Sequence, residues 1–72
     1  MTKNDLENKL RDKGVRVDSY SLHGGFPNEA YCLNATKVGW EVYYSERGGK
    51  SGLKTFNSES EACQYLYRLL VK

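Results

Sequence analysis

Seventy-two residues with 39% hydrophobic, 28% charged and 12% aromatic side chains leave room for one small core, because a chain of this size buries only about 60% of the surface it exposes when unfolded. Eleven Lys and Arg against nine Asp and Glu give a net charge of +2, too little to impose a nucleic-acid reading. No run approaches the roughly 20 apolar residues of a membrane span, and the first five residues lack the apolar stretch of a secretory signal, so the expectation is a single soluble, cytoplasmic domain over residues 1–72.

Residues 2–13 open with Thr2-Lys3-Asn4-Asp5, a capping box with aspartate in place of the usual glutamate, and set Leu6 and Leu10 four apart. This predicts a short helix. Gly14 stands where a helix end favours a left-handed residue. Tyr20-Ser21-Leu22 alternates with period two and predicts a short strand, cut by a turn or loop cluster at Gly24-Gly25-Phe26-Pro27-Asn28. A second strand is expected over Ala30-Tyr31-Cys32-Leu33, ended by the polar residues 34–37.

Residues 39–46 carry the clearest pattern: Trp40, Val42 and Tyr44 fall on one face of a strand, Glu41, Tyr43 and Ser45 on the other. Residues 47–52 read as a glycine-rich hairpin connection, with residues 53–56 returning and a bulge or early strand end near Thr55. Ser58-Glu59-Ser60-Glu61 then forms a capping box. The helix it opens carries a core stripe of Ala62, Cys63, Leu66, Leu69 and Leu70, with Tyr65 and Tyr67 at its borders. The expected architecture is α+β: a helix, a three- to four-stranded antiparallel meander and a second helix, as a two-layer sandwich with both helices on the Trp40 face. Glu41 and Tyr43 are then left for solvent or a partner.

Catalysis needs a nucleophile with a base, paired carboxylates or a metal, and no such set is assembled locally. His23 is the single histidine and neither Cys32 nor Cys63 belongs to a CxxC pair, so no metal or cofactor is expected and the cysteines read as buried thiols. Glu41 and Glu46, five apart on one strand, face opposite sides. Residues 48–52 lack the spacing of a phosphate loop and precede a strand. The chain reads as non-enzymatic.

Helix-sheet-helix order looks like the double-stranded-RNA-binding domain, but that family starts its second helix with lysines, where this chain has Ser58-Glu59-Ser60-Glu61. Residues 40–66 resemble, more loosely, the arm-type DNA-binding domain of tyrosine integrases. Arg47, Lys50 and Lys54 at one hairpin offer phosphate contacts of their own, and a small DNA-binding module using the hairpin of residues 40–56 is the alternative reading. Protein binding is favoured by six tyrosines and one tryptophan, since tyrosine offers contact area and a hydrogen-bonding tip at low entropy cost. Tyr43, Tyr65 and Tyr67 are the surface candidates, with acidic contacts from Glu41, Glu46, Glu59 and Glu61. Tyr20, Tyr31 and Tyr44 remain open between core and surface.

Gly39-Trp40-Glu41-Val42-Tyr43-Tyr44-Ser45-Glu46-Arg47-Gly48, then residues 53–56, then Ser58-Glu59-Ser60-Glu61-Ala62-Cys63, resemble a pattern in small bacterial immunity proteins encoded beside polymorphic toxins. The resemblance runs over most of the chain from Tyr20 onward. It implies a neutralising protein whose partner is a cognate toxin; many such toxins are nucleases with basic clefts, where acidic and aromatic groups such as Glu41, Tyr43, Glu46, Glu59 and Glu61 mimic the nucleic acid and speed association by steering.

Overall fold

Thr2 caps the first helix, α1 (Lys3–Asp12), in the computed structural model, which describes residues 1–71. Its hydroxyl accepts from the Asp5 N–H at 3.2 Å and the Asp5 carboxylate accepts from the Thr2 N–H at 3.1 Å, so both halves of the capping box form. At the other end Gly14 turns left-handed (φ 73°). The Gly14 N–H then reaches the Arg11 carbonyl and the Val15 N–H the Leu10 carbonyl, a Schellman closure that only glycine adopts without strain. Leu6 and Leu10 are fully buried.

A single 3-10 turn (Val17–Ser19) leads into β1 (Tyr20–Ser21), followed by β2 (Ala30–Thr36), β3 (Gly39–Glu46), β4 (Gly49–Phe56) and the helix α2 (Glu59–Leu70). The chain is therefore α+β, with two helices and a four-stranded sheet in the order β1-β2-β3-β4. The sheet is mixed, which corrects the expected antiparallel meander: β1 runs parallel to β2, pairing Tyr20 with Tyr31 and Ser21 with Cys32. Residues 22–29 do not turn back as a hairpin. They cross one face of the sheet and deliver β2 in the same direction as β1, as any parallel pair requires.

β2 also runs on through Asn34 to Thr36, residues expected to end it. The β3–β4 hairpin closes through only two residues, Arg47 (φ 52°) and Gly48 (φ 77°), the two positive φ angles of the turn whose twist matches paired strands. β4 thus begins at Gly49, inside the stretch read as connection. The irregularity sits earlier than Thr55: Val42 pairs with Lys54 and Tyr44 with Ser51, leaving Gly52 (φ 62°) and Leu53 opposite Tyr43 as a bulge.

Both helices pack on the Trp40 side. Leu6, Leu10, Leu22, Leu33, Val42, Ala62, Cys63 and Leu66 form one buried cluster, with Trp40 and Phe56 packed against it. Ser58 caps α2 by accepting from the Glu61 N–H at 3.2 Å, while its own hydroxyl donates to the Glu61 carboxylate. Only half of the predicted capping box forms. Glu59 is used elsewhere: its carboxylate accepts from the Lys3 N–H at 3.0 Å, fastening the start of α1 to the start of α2, where a negative charge suits the helix dipole.

The opposite face is not open. Ala30, Cys32, Tyr43 and Ser45 point there and are buried outside the helix-side cluster, beneath the strap of residues 22–29. Ser21 Oγ donates to the Gly24 carbonyl at 2.9 Å, and the Gly24 N–H donates to the Leu33 carbonyl at 3.0 Å. Gly24 is buried at φ 72°, and a Cβ there would stand 2.5 Å from Asn34 Oδ1. Gly24→Ala is accordingly expected to cost about 1–3 kcal/mol, read as a fall in the chemical-denaturation midpoint at unchanged slope. Gly25→Ala keeps only the backbone strain, since its Cβ meets nothing within 4 Å, and should cost less.

Candidate functional site

Tyr43 is 1% exposed, which corrects its reading as a surface tyrosine. Its hydroxyl donates to the Gly25 carbonyl at 2.8 Å, the Lys50 ammonium lies 4.6 Å from the centre of its ring, and Cys32 is its cross-strand neighbour. Burial pushes its phenol up to about 12, so it remains a donor throughout the physiological range. Periodicity assigned Tyr43 to the correct face. What it could not show is that a strap 18 residues upstream covers that face.

Glu41 shares this side and is also committed to the fold. Its Oε1 accepts from the Asn34 amide at 3.0 Å and the Lys50 ammonium at 3.2 Å, and its side chain is only 13% exposed. The Asn34 hydrogen bond, then Lys50, holds its carboxyl below the ordinary 4.5. With the folded-state value below the unfolded one, this pairing stabilises the protein above pH 4.5 and its contribution fades as pH falls through the lower folded value. Thermal melts should find Glu41→Gln less stable than wild type at neutral pH, with the difference narrowing progressively below pH 4.5.

The helix side offers a groove instead. α2 crosses the sheet without covering the β4 edge, where Gly49 to Thr55 are exposed. Between them lies a groove of about 320 Å³ lined by Tyr31, Tyr44, Tyr65 and Leu69 over a floor of Val42, with Ser51 and Gly52 of the bulge at its outer wall. Tyr31 and Tyr44 are direct cross-strand partners, their rings edge-to-face with centres 4.9 Å apart. Tyr65 leans on Phe56, ring centres 5.2 Å apart. All three groove tyrosines are half-buried.

Compared with protein-family models, characterised proteins and solved structures, the chain matches none of them.

The remaining predicted residues scatter. Glu46 is exposed and, two residues beyond Tyr44 on β3, shares the groove face. Glu61 is exposed at the start of α2; Tyr65 lines the groove, and Tyr67, half-buried against the core, sits on the other flank of α2. Of the seven proposed partner contacts, only Tyr65 lines the groove; Glu46 shares its sheet face, and Glu61 stands one turn before Tyr65 on α2. Tyr31 and Tyr44 join Tyr65 there; their direct pairing across β2 and β3 was the missing signal, because it needs the register.

The basic residues proposed for phosphate contact do not form one row either. Lys54 pairs with Val42 and so lies on the helix side, whereas Lys50 pairs with Ser45 on the strap side and is held by Glu41. The thiols lie on opposite sides of the sheet, Cys32 beneath the strap and Cys63 in the α2 core. Desolvation raises both, Cys63 to about 11, a pattern of packed thiols. Among the described residues no three His, Cys, Asp or Glu side chains gather.

Proposed function

We propose that this chain is an immunity-type protein of the bacterial cytoplasm that binds a cognate protein toxin and holds it inactive, with no chemistry of its own. The observation that carries this reading is the gathering of three half-exposed tyrosines around one groove beside an uncovered sheet edge. Monomeric proteins seldom leave such aromatic concavities without a use, and tyrosine is among the side chains that dominate protein interfaces. The sequence likeness of residues 39–63 to toxin-associated immunity proteins points the same way. An exposed carboxylate at Glu46 on the groove face suits a basic toxin surface.

The test is capture from a lysate of the source bacterium with tagged protein, with and without nuclease and across salt concentrations, followed by expression of the captured protein alone and with this chain. A stoichiometric protein that survives nuclease, arrests growth alone and ceases to do so when co-expressed supports the proposal. Recovery of nucleic acid alone, lost steeply as salt rises, overturns it and promotes DNA binding through the β3–β4 hairpin.

A further inference from the structure

The tyrosine groove has a charged end. Glu46 stands two residues beyond Tyr44 on the same face of β3, and Glu29 immediately precedes Ala30, the cross-strand partner of Ser45. Glu29 (φ 56°), the residue just before β2, thus stands at the same end of the sheet as Glu46, beyond the Tyr31–Tyr44 pair. Both carboxylates are exposed, and among the described residues neither has an ion-pair partner. Their fields reach the groove: the Tyr44 phenol is raised by desolvation first, and then by Glu29 and Glu46.

Among the described residues no charged side chain lines the groove itself; the two carboxylates stand beyond its Tyr31–Tyr44 end, and Lys54, paired with Val42, lies on the same face away from that end. An anion entering it would meet the two carboxylates, and a purely apolar side chain would leave them unanswered. A cation is favoured on both counts, by the aromatic faces and by the carboxylates at the end. At about 320 Å³ the space is at the small end of ligand sites, suited to one long side chain. Between the two natural candidates, the planar and weakly hydrated guanidinium stacks on aromatic rings and bonds a carboxylate through two parallel N–H groups, which an ammonium does not.

We propose that this groove receives a single arginine side chain of the partner protein, stacked among Tyr31, Tyr44 and Tyr65 with its guanidinium paired to Glu29 and Glu46. The inference rests on the protein-binding reading above and names the chemistry of what binds there. It also assigns a role to Glu29, which sequence patterning passed over because it falls in the strap rather than in a strand.

The test uses no toxin. Tyrosine-ring carbon-proton NMR spectra of the whole chain are followed during titration with the end-blocked tripeptide Gly-Arg-Gly, with Gly-Lys-Gly and with Gly-citrulline-Gly, whose side chain has nearly the shape of arginine without its charge. A lone side chain should bind with a dissociation constant in the millimolar range. The arginine peptide should shift the rings of Tyr31, Tyr44 and Tyr65 saturably and leave Tyr20 and Tyr67 in place. Citrulline should bind at least about fivefold more weakly, lysine should fall between, and Glu29→Gln with Glu46→Gln should abolish the preference for arginine over citrulline. Equal binding of arginine and citrulline, shifts confined to other tyrosines, or no shift up to about 50 mM overturns the inference. If that happens while a toxin is captured and neutralised, the function stands and the groove's specificity is wrong; arginine binding without any protein partner is the reverse case.

Discussion

Tyr43→Ala should remove a large part of the stability of this fold. Truncating a fully buried aromatic costs about 3–5 kcal/mol, against roughly 4–11 kcal/mol for the whole of a domain of this length. The loss has three parts: the ring fills the space between sheet and strap, its hydroxyl satisfies the Gly25 carbonyl at 2.8 Å, and its face seats the Lys50 ammonium. Tyr43→Phe separates them. It keeps the ring and removes only the hydrogen bond, so it should cost about 1 kcal/mol. Urea denaturation followed by tryptophan fluorescence measures both, and equal midpoints for Tyr43→Ala and wild type would mean that the strap does not enclose this side chain.

Tyr44→Ala should instead spare the fold and damage binding. Tyr44 is half-buried at the groove, edge-to-face with Tyr31 at 4.9 Å, and does not belong to the buried cluster beneath the helices. If the groove is the centre of the interface, its removal costs about 2 kcal/mol of binding, roughly a thirtyfold loss of affinity for the captured partner. Tyr44→Phe keeps the ring and should lose much less. Tyr67→Ala, on the far flank of α2, should stay within about threefold of wild type. Calorimetric titration of each variant, with thermal melts to verify folding, separates these outcomes; equal losses for Tyr44→Ala and Tyr67→Ala would remove the groove from the interface.

The two helices were legible because their signals are local. Thr2 with Asp5, Gly14 after the last turn, and Ser58 with Glu61 each act within one turn of the chain, and the stripes Leu6-Leu10 and Ala62-Cys63-Leu66 need only the helical period. The alternation of residues 39–46 likewise assigned each side chain to its correct face. The cover over the second face was not legible. Gly24-Gly25-Phe26-Pro27-Asn28 has the composition of a turn, and nothing local distinguishes a turn that reverses the chain from a strap that crosses a sheet. The alternation at Tyr20-Ser21-Leu22 located β1, but a two-residue strand carries nothing that fixes whether it pairs parallel or antiparallel. That one ambiguity produced both the missed parallel pairing and the misplacement of Tyr43 and Glu41 at a free surface. The groove escaped notice for a related reason: Tyr31, Tyr44 and Tyr65 are far apart in sequence, and only the β2–β3 register and the crossing of α2 bring them together.

Amide hydrogen exchange of this protein, free and bound to its captured partner, is the most direct test of the groove as the interaction surface. The expected footprint covers the second half of β3, the exposed edge β4 and the C-terminal half of α2 around Tyr65 and Leu69, with exchange in the strap unchanged. Protection concentrated in residues 22–29, with β4 and α2 unaffected, would place the partner on the other side of the sheet and contradict the account.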